Sequence, residues 1–252
     1  TTEIYTLSLH DALPIYMKKI FALVVLLSIT QPVFSIERVY LLHGHGSDPR
    51  IFSGLKLDSS RYDTVSIRLP LPAHLELMPD YVKRIIPMID TTGLFSFVGV
   101  SLGGMVAVEL SKHLPVRRVI LVSSASCKEE LPLRYRSMKH IEVYRCFSGG
   151  FYKAMAKPAQ LLFEPERREN ADLFDAMLQD KDPVFLKRAI HLIVNWDGVC
   201  GSDERIVKIH GTKDHTIPAR TANPDIRLKN SSHMMMLTRS DVLSEIIQKS
   251  LD

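Results

Sequence analysis

The sequence predicts an α/β fold: a mostly parallel sheet flanked by helices, with a helical insertion between two of its strands. Three observations predict it. Short runs that are β-branched or wholly apolar recur along the chain, amphipathic segments separate them, and the stretch from Ser126 to Ser202 holds no convincing strand. Parallel strands buried on both faces read as apolar runs, and alternation of strand with helix implies crossovers that cover both sides of a sheet.

The strands are read in order as Arg38–Leu42, Thr64–Arg68, Phe95–Val100, Val119–Val122, Ile206–His210 and Asp225–Leu228. Pro70 and Pro72 stop the second, and the fourth (VILV) is apolar throughout, as a central strand should be. Between them, Asp80–Ile89 places Tyr81, Ile85, Ile86 and Ile89 on one helical face, with Pro87 predicting a kink or an early end. Leu102–Leu114 reads as a helix lying against the sheet. Asp241–Leu251 presents Val242, Leu243, Ile246, Ile247 and Leu251 at helical spacing behind Ser240 as N-cap. Within the insertion, Asn170–Gln179 is amphipathic, and Asp182-Pro183 opens a helix with a capping carboxylate and a proline at its first position. An insertion of this kind, about 126–202, reads as a lid over the end of the sheet.

Composition limits the function. The chain has 252 residues, 46% apolar and 24% charged, enough for one sizeable core and unlike a disordered or membrane-spanning protein. Net charge is +4, and the Arg117–Arg118 and Arg167–Arg168 pairs stand isolated, so no nucleic-acid partner is expected. Cys127, Cys146 and Cys200 lack metal-ligand spacing. In an exported protein they allow one disulfide and one free thiol, with the pair undecided by sequence.

The first 35 residues read as separate from the fold. Thr1–Ile15 resembles the in-frame translation of a sequencing adapter, so residues 1–16 carry no structural signal. From Met17, Lys18 and Lys19 precede the apolar run Ile20–Ile29, and Val33 and Ser35 suit cleavage after Ser35. That is a signal-peptide pattern for residues 17–35, with an apolar run too short to remain as an anchor. The expected mature domain is 36–252, periplasmic or secreted, the alternative being a cytoplasmic protein whose first buried element is this run.

Gly99-Val100-Ser101-Leu102-Gly103 matches G-x-S-x-G and is followed by Gly104. It leaves a strand and opens a helix, the setting in which a sharp turn lifts a nucleophilic serine above a sheet. Side chains at Gly99 and Gly103 would collide with neighbouring backbone. With this elbow in place, the chain from Glu37 onward resembles the α/β-hydrolase superfamily. The resemblance implies the α/β-hydrolase fold and a Ser, Asp, His order for the catalytic residues.

Three further segments carry the resemblance. His43-Gly44-His45-Gly46 is similar to the family's H-G-x-G loop, implying the backbone N–H of His45 and that of Leu102 as oxyanion donors, with His43 shaping the loop. Gly211-Thr212-Lys213-Asp214 with Pro218 is similar to the acid segment, implying Asp214 as the carboxylate and leaving His215 as loop structure. Asn230-Ser231-Ser232-His233 follows the last strand and implies His233 as the base, although serines stand where relatives often carry glycine. His74, His113, His140 and His191 read as surface or packing residues.

The expected reaction is acyl transfer to water on a small ester or thioester by Ser101, Asp214 and His233, with no cofactor and no metal. The substrate is a small molecule with an apolar acyl group, and no membrane anchor remains after cleavage. Lactonase or C–C bond hydrolase chemistry on the same triad, a non-catalytic receptor of the same fold, and an interaction module with an incidental elbow are the competing readings.

Overall fold

Each of the six apolar runs becomes a strand, and the strands form one parallel sheet in this computed structural model, which describes Met17, residues 36–163 and residues 170–252. The adapter-like segment, the leader-like segment apart from Met17, and the Arg167–Arg168 pair lie outside the described residues. The strands are β1 (Glu37–Leu42), β2 (Tyr62–Ile67), β3 (Phe95–Val100), β4 (Val119–Val122), β5 (Ile206–Gly211) and β6 (Ile226–Leu228). Their spatial order is β2-β1-β3-β4-β5-β6, with every neighbouring pair parallel.

The path therefore starts inside the sheet at β1, runs out to β2, and returns past β1 to β3. That reversal opens a crevice at the carboxyl ends of β1 and β3. Register aligns those ends: Leu42 faces Gly99, Val100 faces Val122, Val122 faces Ile209, and Gly211 faces Leu228. The loops leaving β1, β3, β5 and β6 share one edge, and these loops carry all four motif segments.

Strand periodicity divides the core. Tyr40, Leu42, Phe95, Phe97, Val119 and Leu121 join one apolar cluster, while Val39, Leu41, Val98, Val100, Ile120 and Val122 join another. Successive side chains alternate between faces, so β1, β3 and β4 each feed both clusters. Phe97, Val98, Val119, Ile120, Leu121 and Val122 have no exposed surface, and each such side chain contributes roughly 1.5–3 kcal/mol by leaving water. Helices α1 (Met78–Lys83) and α2 (Leu102–Leu110) pack into the first cluster.

Two helices end before the last residue of their apolar patterns. The α1 pattern breaks after Lys83 into a 3-10 turn at Ile86–Met88 around Pro87, the predicted early end. Helix α2 stops at Leu110 and not at Leu114, with Ser111 as C-cap donating its hydroxyl to the Val108 carbonyl. Pro115 disfavours helical backbone at Leu114 in any case.

Between β4 and β5 lie α3 (Leu133–Ile141), α4 (Gly149–Phe163), α5 (Ala171–Asp180) and α6 (Pro183–Asn195). The Asp182 carboxylate caps α6, accepting from Val184 N at 2.7 Å as its sequence predicts. The feet of this insertion meet. Cys127 bridges Gly198, Val199 N donates to the Ser126 carbonyl at 2.8 Å, and Cys127 forms a disulfide with Cys200 across 73 positions. Cys146 is the free thiol, and it is exposed. Closing a loop of that length removes unfolded-chain entropy worth about 4 kcal/mol in the loop-entropy description.

Short helices α7 (Ala219–Ala222) and α8 (Met235–Thr238) precede α9 (Ser240–Leu251). Ser240 is the first helical residue of α9 and not its cap; Arg239 holds the cap position, and its carbonyl accepts from Leu243 N at 3.0 Å. Leu243, Ile247 and Leu251 bury against the second cluster. Among the described residues no helix is long and apolar enough to cross a membrane.

Candidate active site

The turn after β3 holds Ser101 at φ 51° and ψ −119°, a conformation that a residue with a Cβ rarely adopts. Surrounding bonds enforce it. Ser101 N donates to the Val122 carbonyl at 3.0 Å, and its own carbonyl accepts from Ser124 Oγ at 2.6 Å and Gly104 N at 2.9 Å. Close packing explains one glycine in particular: a Cβ at position 103 would lie 2.0 Å from the Leu42 carbonyl oxygen. The elbow is thereby pressed against the exit of β1, which brings the His43–Ser47 loop beside it. Leu102 is the first residue of α2, where an N–H has no partner within its own helix.

Asp214 is buried at 3% exposure, in the turn after β5. Its Oδ1 accepts from Thr216 N at 2.9 Å and Ile217 N at 2.8 Å. Its Oδ2 accepts from His233 Nδ1 at 2.8 Å. A carboxylate fixed by two amides presents its second oxygen to the imidazole, so Nδ1 carries the proton and Nε2 is the basic nitrogen. The loop bearing His233 stacks backbone on backbone against β5, where a Cβ at Gly211 would lie 2.1 Å from the Ser231 carbonyl. The space is thus provided by Gly211, and the left-handed turn residue is Asn230 (φ 59°), so serines at 231 and 232 fit.

Ser101 and His233 line the same cavity, of about 330 Å³. The insertion roofs it with Tyr135 from α3, Tyr152 and Met155 from α4, Phe174 from α5, and Ile190 and Ile193 from α6. His45 also lines it. A deep turn, a carboxylate-bound imidazole and a predominantly apolar chamber now stand together at the carboxyl edge of a parallel sheet. The sequence model of the Alpha/beta hydrolase family matches residues 39–246.

The chain belongs to the α/β-hydrolase family. Solved structures agree on the fold of this α/β hydrolase. A hydrolase from Pseudomonas aeruginosa PA01 is 15% identical, with 86% of this chain and 90% of that one covered at a TM-score of 0.65. The enol-lactonase from Burkholderia xenovorans LB400 is 13% identical, covering 88% and 93% at 0.62. A lipase-esterase related protein from Clostridium acetobutylicum ATCC 824 is 13% identical, covering 84% and 93% at 0.60. At such identities the likeness establishes the fold alone. No curated protein sequence matches the chain.

The remaining histidines of the hydrolase take varied positions. His43 is fully buried, donating from Nδ1 to the Gly44 carbonyl at 2.9 Å and accepting at Nε2 from Leu69 N at 3.1 Å. Both nitrogens are engaged by the neutral ring, and burial pushes its pKa down to about 3. His45 donates from Nε2 to the Leu186 carbonyl at 2.8 Å, and burial lowers it to about 4. His215 is exposed, its carbonyl accepting from Arg134, in keeping with a loop role. His74, His113 and His140 are exposed, and His191 pairs with the Tyr144 hydroxyl at 2.8 Å.

Two residues of this neighbourhood escape sequence reasoning. His210, fully buried in β5, stands with Nε2 3.9 Å from Asp214 Oδ2, beyond hydrogen-bond reach. Desolvation holds its pKa down to about 4, so it is a neutral ring beside the carboxylate. Lys181 is buried between α5 and α6, its Nζ donating to the Ser47 carbonyl of the β1 loop. The available signals were an imidazole on an otherwise apolar strand and a lysine at a tight helix joint. Cys127, Glu129 and Cys200 come within metal-ligand reach of one another, but both sulfurs are tied up in the disulfide.

Proposed function

We propose that the protein is a serine hydrolase acting on a small ester or thioester through an acyl-enzyme. The observation that carries this reading is the Asp214–His233 bond of 2.8 Å beside a cavity that Ser101 also lines. His233 Nε2 takes the Ser101 hydroxyl proton as the oxygen attacks the substrate carbonyl. The N–H groups of His45 and Leu102 hold the oxyanion. His233 then protonates the leaving alcohol or thiol, and water repeats the sequence to release the acid. Asp214 fixes the ring tautomer and balances the imidazolium. The apolar roof of the cavity supports an apolar acyl group, and the four helices of the insertion act as its lid.

A fluorophosphonate probe tests this. Wild-type protein is expected to be labelled on Ser101 and to release nitrophenol from short-chain esters, while Ser101→Ala takes up no label and loses hydrolysis. Labelling of Ser101→Ala at the wild-type level would remove Ser101 from the role. Intact wild-type protein that neither labels nor turns over would favour a ligand receptor on the same fold.

We also infer export. The leader-like residues 17–35 and the Cys127–Cys200 disulfide support it, because disulfides persist in oxidising compartments. Mass spectrometry of protein expressed from Met17 is expected to find Ile36 as the first residue; soluble protein retaining Met17 in the cytoplasm would overturn it.

A further inference from the structure

We propose that Lys181 is a positioning residue for the reaction, its ammonium group holding the oxyanion loop from behind and adding positive charge to it. The inference rests on the serine-hydrolase reading above and adds a residue from the insertion to that machinery.

Two bonds tie the β1 loop to the α5–α6 joint, and they run in opposite directions. Lys181 Nζ donates to the Ser47 carbonyl, while His45 Nε2 donates to the Leu186 carbonyl at 2.8 Å. The residue whose N–H is assigned to the oxyanion is therefore held through its side chain, and the loop two residues on is held through its backbone. A shift of the joint would shift the donor. Because a hydrogen-bond donor aimed at an oxyanion acts only at short range, such anchoring decides how well it performs.

The lysine is costly to keep there. Lys181 is 9% exposed, and its ammonium lies 4.1 Å from the centroid of the Phe185 ring, a cation–π contact that offsets part of the lost hydration. An apolar residue would fill that space without the penalty. What the charge adds is a field on the loop: Lys181 is among the causes that lower the pKa of both His43 and His45. A potential that disfavours imidazolium at those rings favours an anion beside them.

At His43 the Asp48 carboxylate works against this field and Arg68 works with it, while at His45, the donor residue, Lys181 is the charge that acts. Asp48 favours the charged lysine and Arg68 opposes it. Asp48, however, is already engaged by Arg50, whose guanidinium it binds at 2.6 Å, and Arg50 is shared with Asp180 at 2.7 Å. His43 and His45 are neutral, Asp182 caps α6 through Val184 N, and Lys153 Nζ binds the backbone carbonyl of Lys181 at 3.0 Å. Burial lowers the Lys181 pKa to about 8, so the charge is present at neutral pH and lost in mild alkali.

The test is the pH dependence of kcat and KM on a short-chain nitrophenyl ester from pH 6 to pH 10, for wild type, Lys181→Met and Lys181→Arg. In wild type, kcat is expected to rise as His233 loses its proton and then fall about tenfold through pH 8, the scale for losing one unit charge across a partly buried site. Lys181→Met is expected to sit at the lower level at every pH, without the alkaline fall and with KM within about twofold. Lys181→Arg keeps its charge throughout and is expected to retain most of the rate to pH 10.

A wild-type profile flat above pH 8, or an alkaline fall that persists in Lys181→Met, overturns the proposal while leaving the serine-hydrolase reading intact. A loss confined to KM also overturns it. Should Lys181→Met fail to fold, the wild-type profile and Lys181→Arg still decide. Absence of both Ser101 labelling and hydrolysis in wild type ends both readings.

Discussion

Replacing Asp214 with asparagine is expected to lower kcat for ester hydrolysis by about 10³- to 10⁴-fold with the fold retained. The size follows from which oxygen is held by what. Oδ1 accepts from two backbone amides, Thr216 N and Ile217 N, at 2.9 and 2.8 Å. An asparagine keeps those bonds only by placing its carbonyl oxygen there. Its NH2 group then faces His233 Nδ1, where the carboxylate Oδ2 now accepts at 2.8 Å. Donor meets donor unless the imidazole changes tautomer, which moves its proton to Nε2 and removes the base that Ser101 needs. Lost compensation of the imidazolium adds to the effect. Single-turnover and steady-state rates on a nitrophenyl ester, with circular dichroism as the folding control, provide the measurement. A rate within tenfold of wild type would show that the Asp214–His233 bond does not set the tautomer.

Acid is expected to destabilise the protein by about 5 kcal/mol between pH 7 and pH 4. His43 and His210 are fully buried and neutral, with pKa values pushed down to about 3 and about 4 by desolvation. In the unfolded chain both titrate near the ordinary histidine value of about 6.5. Between pH 6.5 and these lowered values the unfolded state binds more protons than the folded one, so stability falls as pH falls across that window. His43 adds a structural cost, because a proton on Nε2 displaces the bond it accepts from Leu69 N at 3.1 Å. Urea unfolding at pH 7, 5.5 and 4 measures the change. Stability constant to within 1 kcal/mol down to pH 4 would mean that these rings are protonated, or solvated, in the native state. His43→Gln should remove a substantial part of the pH dependence.

Much of the fold is legible without coordinates because parallel strands buried on both faces leave a one-dimensional trace. Val119–Val122 has no polar position, and the apolar run Phe95–Val100 ends at the serine turn; both appear as strands with the expected bounds. The elbow is legible for a related reason: Gly103 has no room for a Cβ against Leu42, so local backbone packing writes itself into residue choice. Helix ends are read less well. The start of α9 is misplaced by one residue because Ser240 satisfies a capping pattern that the backbone at Arg239 takes up. Helices α3 and α4 leave little trace as separate elements, since α3 buries no side chain completely and its polar and apolar residues have no sharply divided faces.

By itself the sequence determined the order of the six strands, the segments that carry Ser101, Asp214 and His233, and the position of the insertion. Each of these depends on residues close together in the chain, or on a period that repeats along it. Only the tertiary structure decided that Cys127 pairs with Cys200, that Gly211 and not residue 231 or 232 makes room for the His233 loop, and that Lys181 and His210 stand beside the site. Those outcomes depend on which distant segment lies opposite which, a matter of sheet register and of how the insertion folds back over the edge, and no local pattern encodes them.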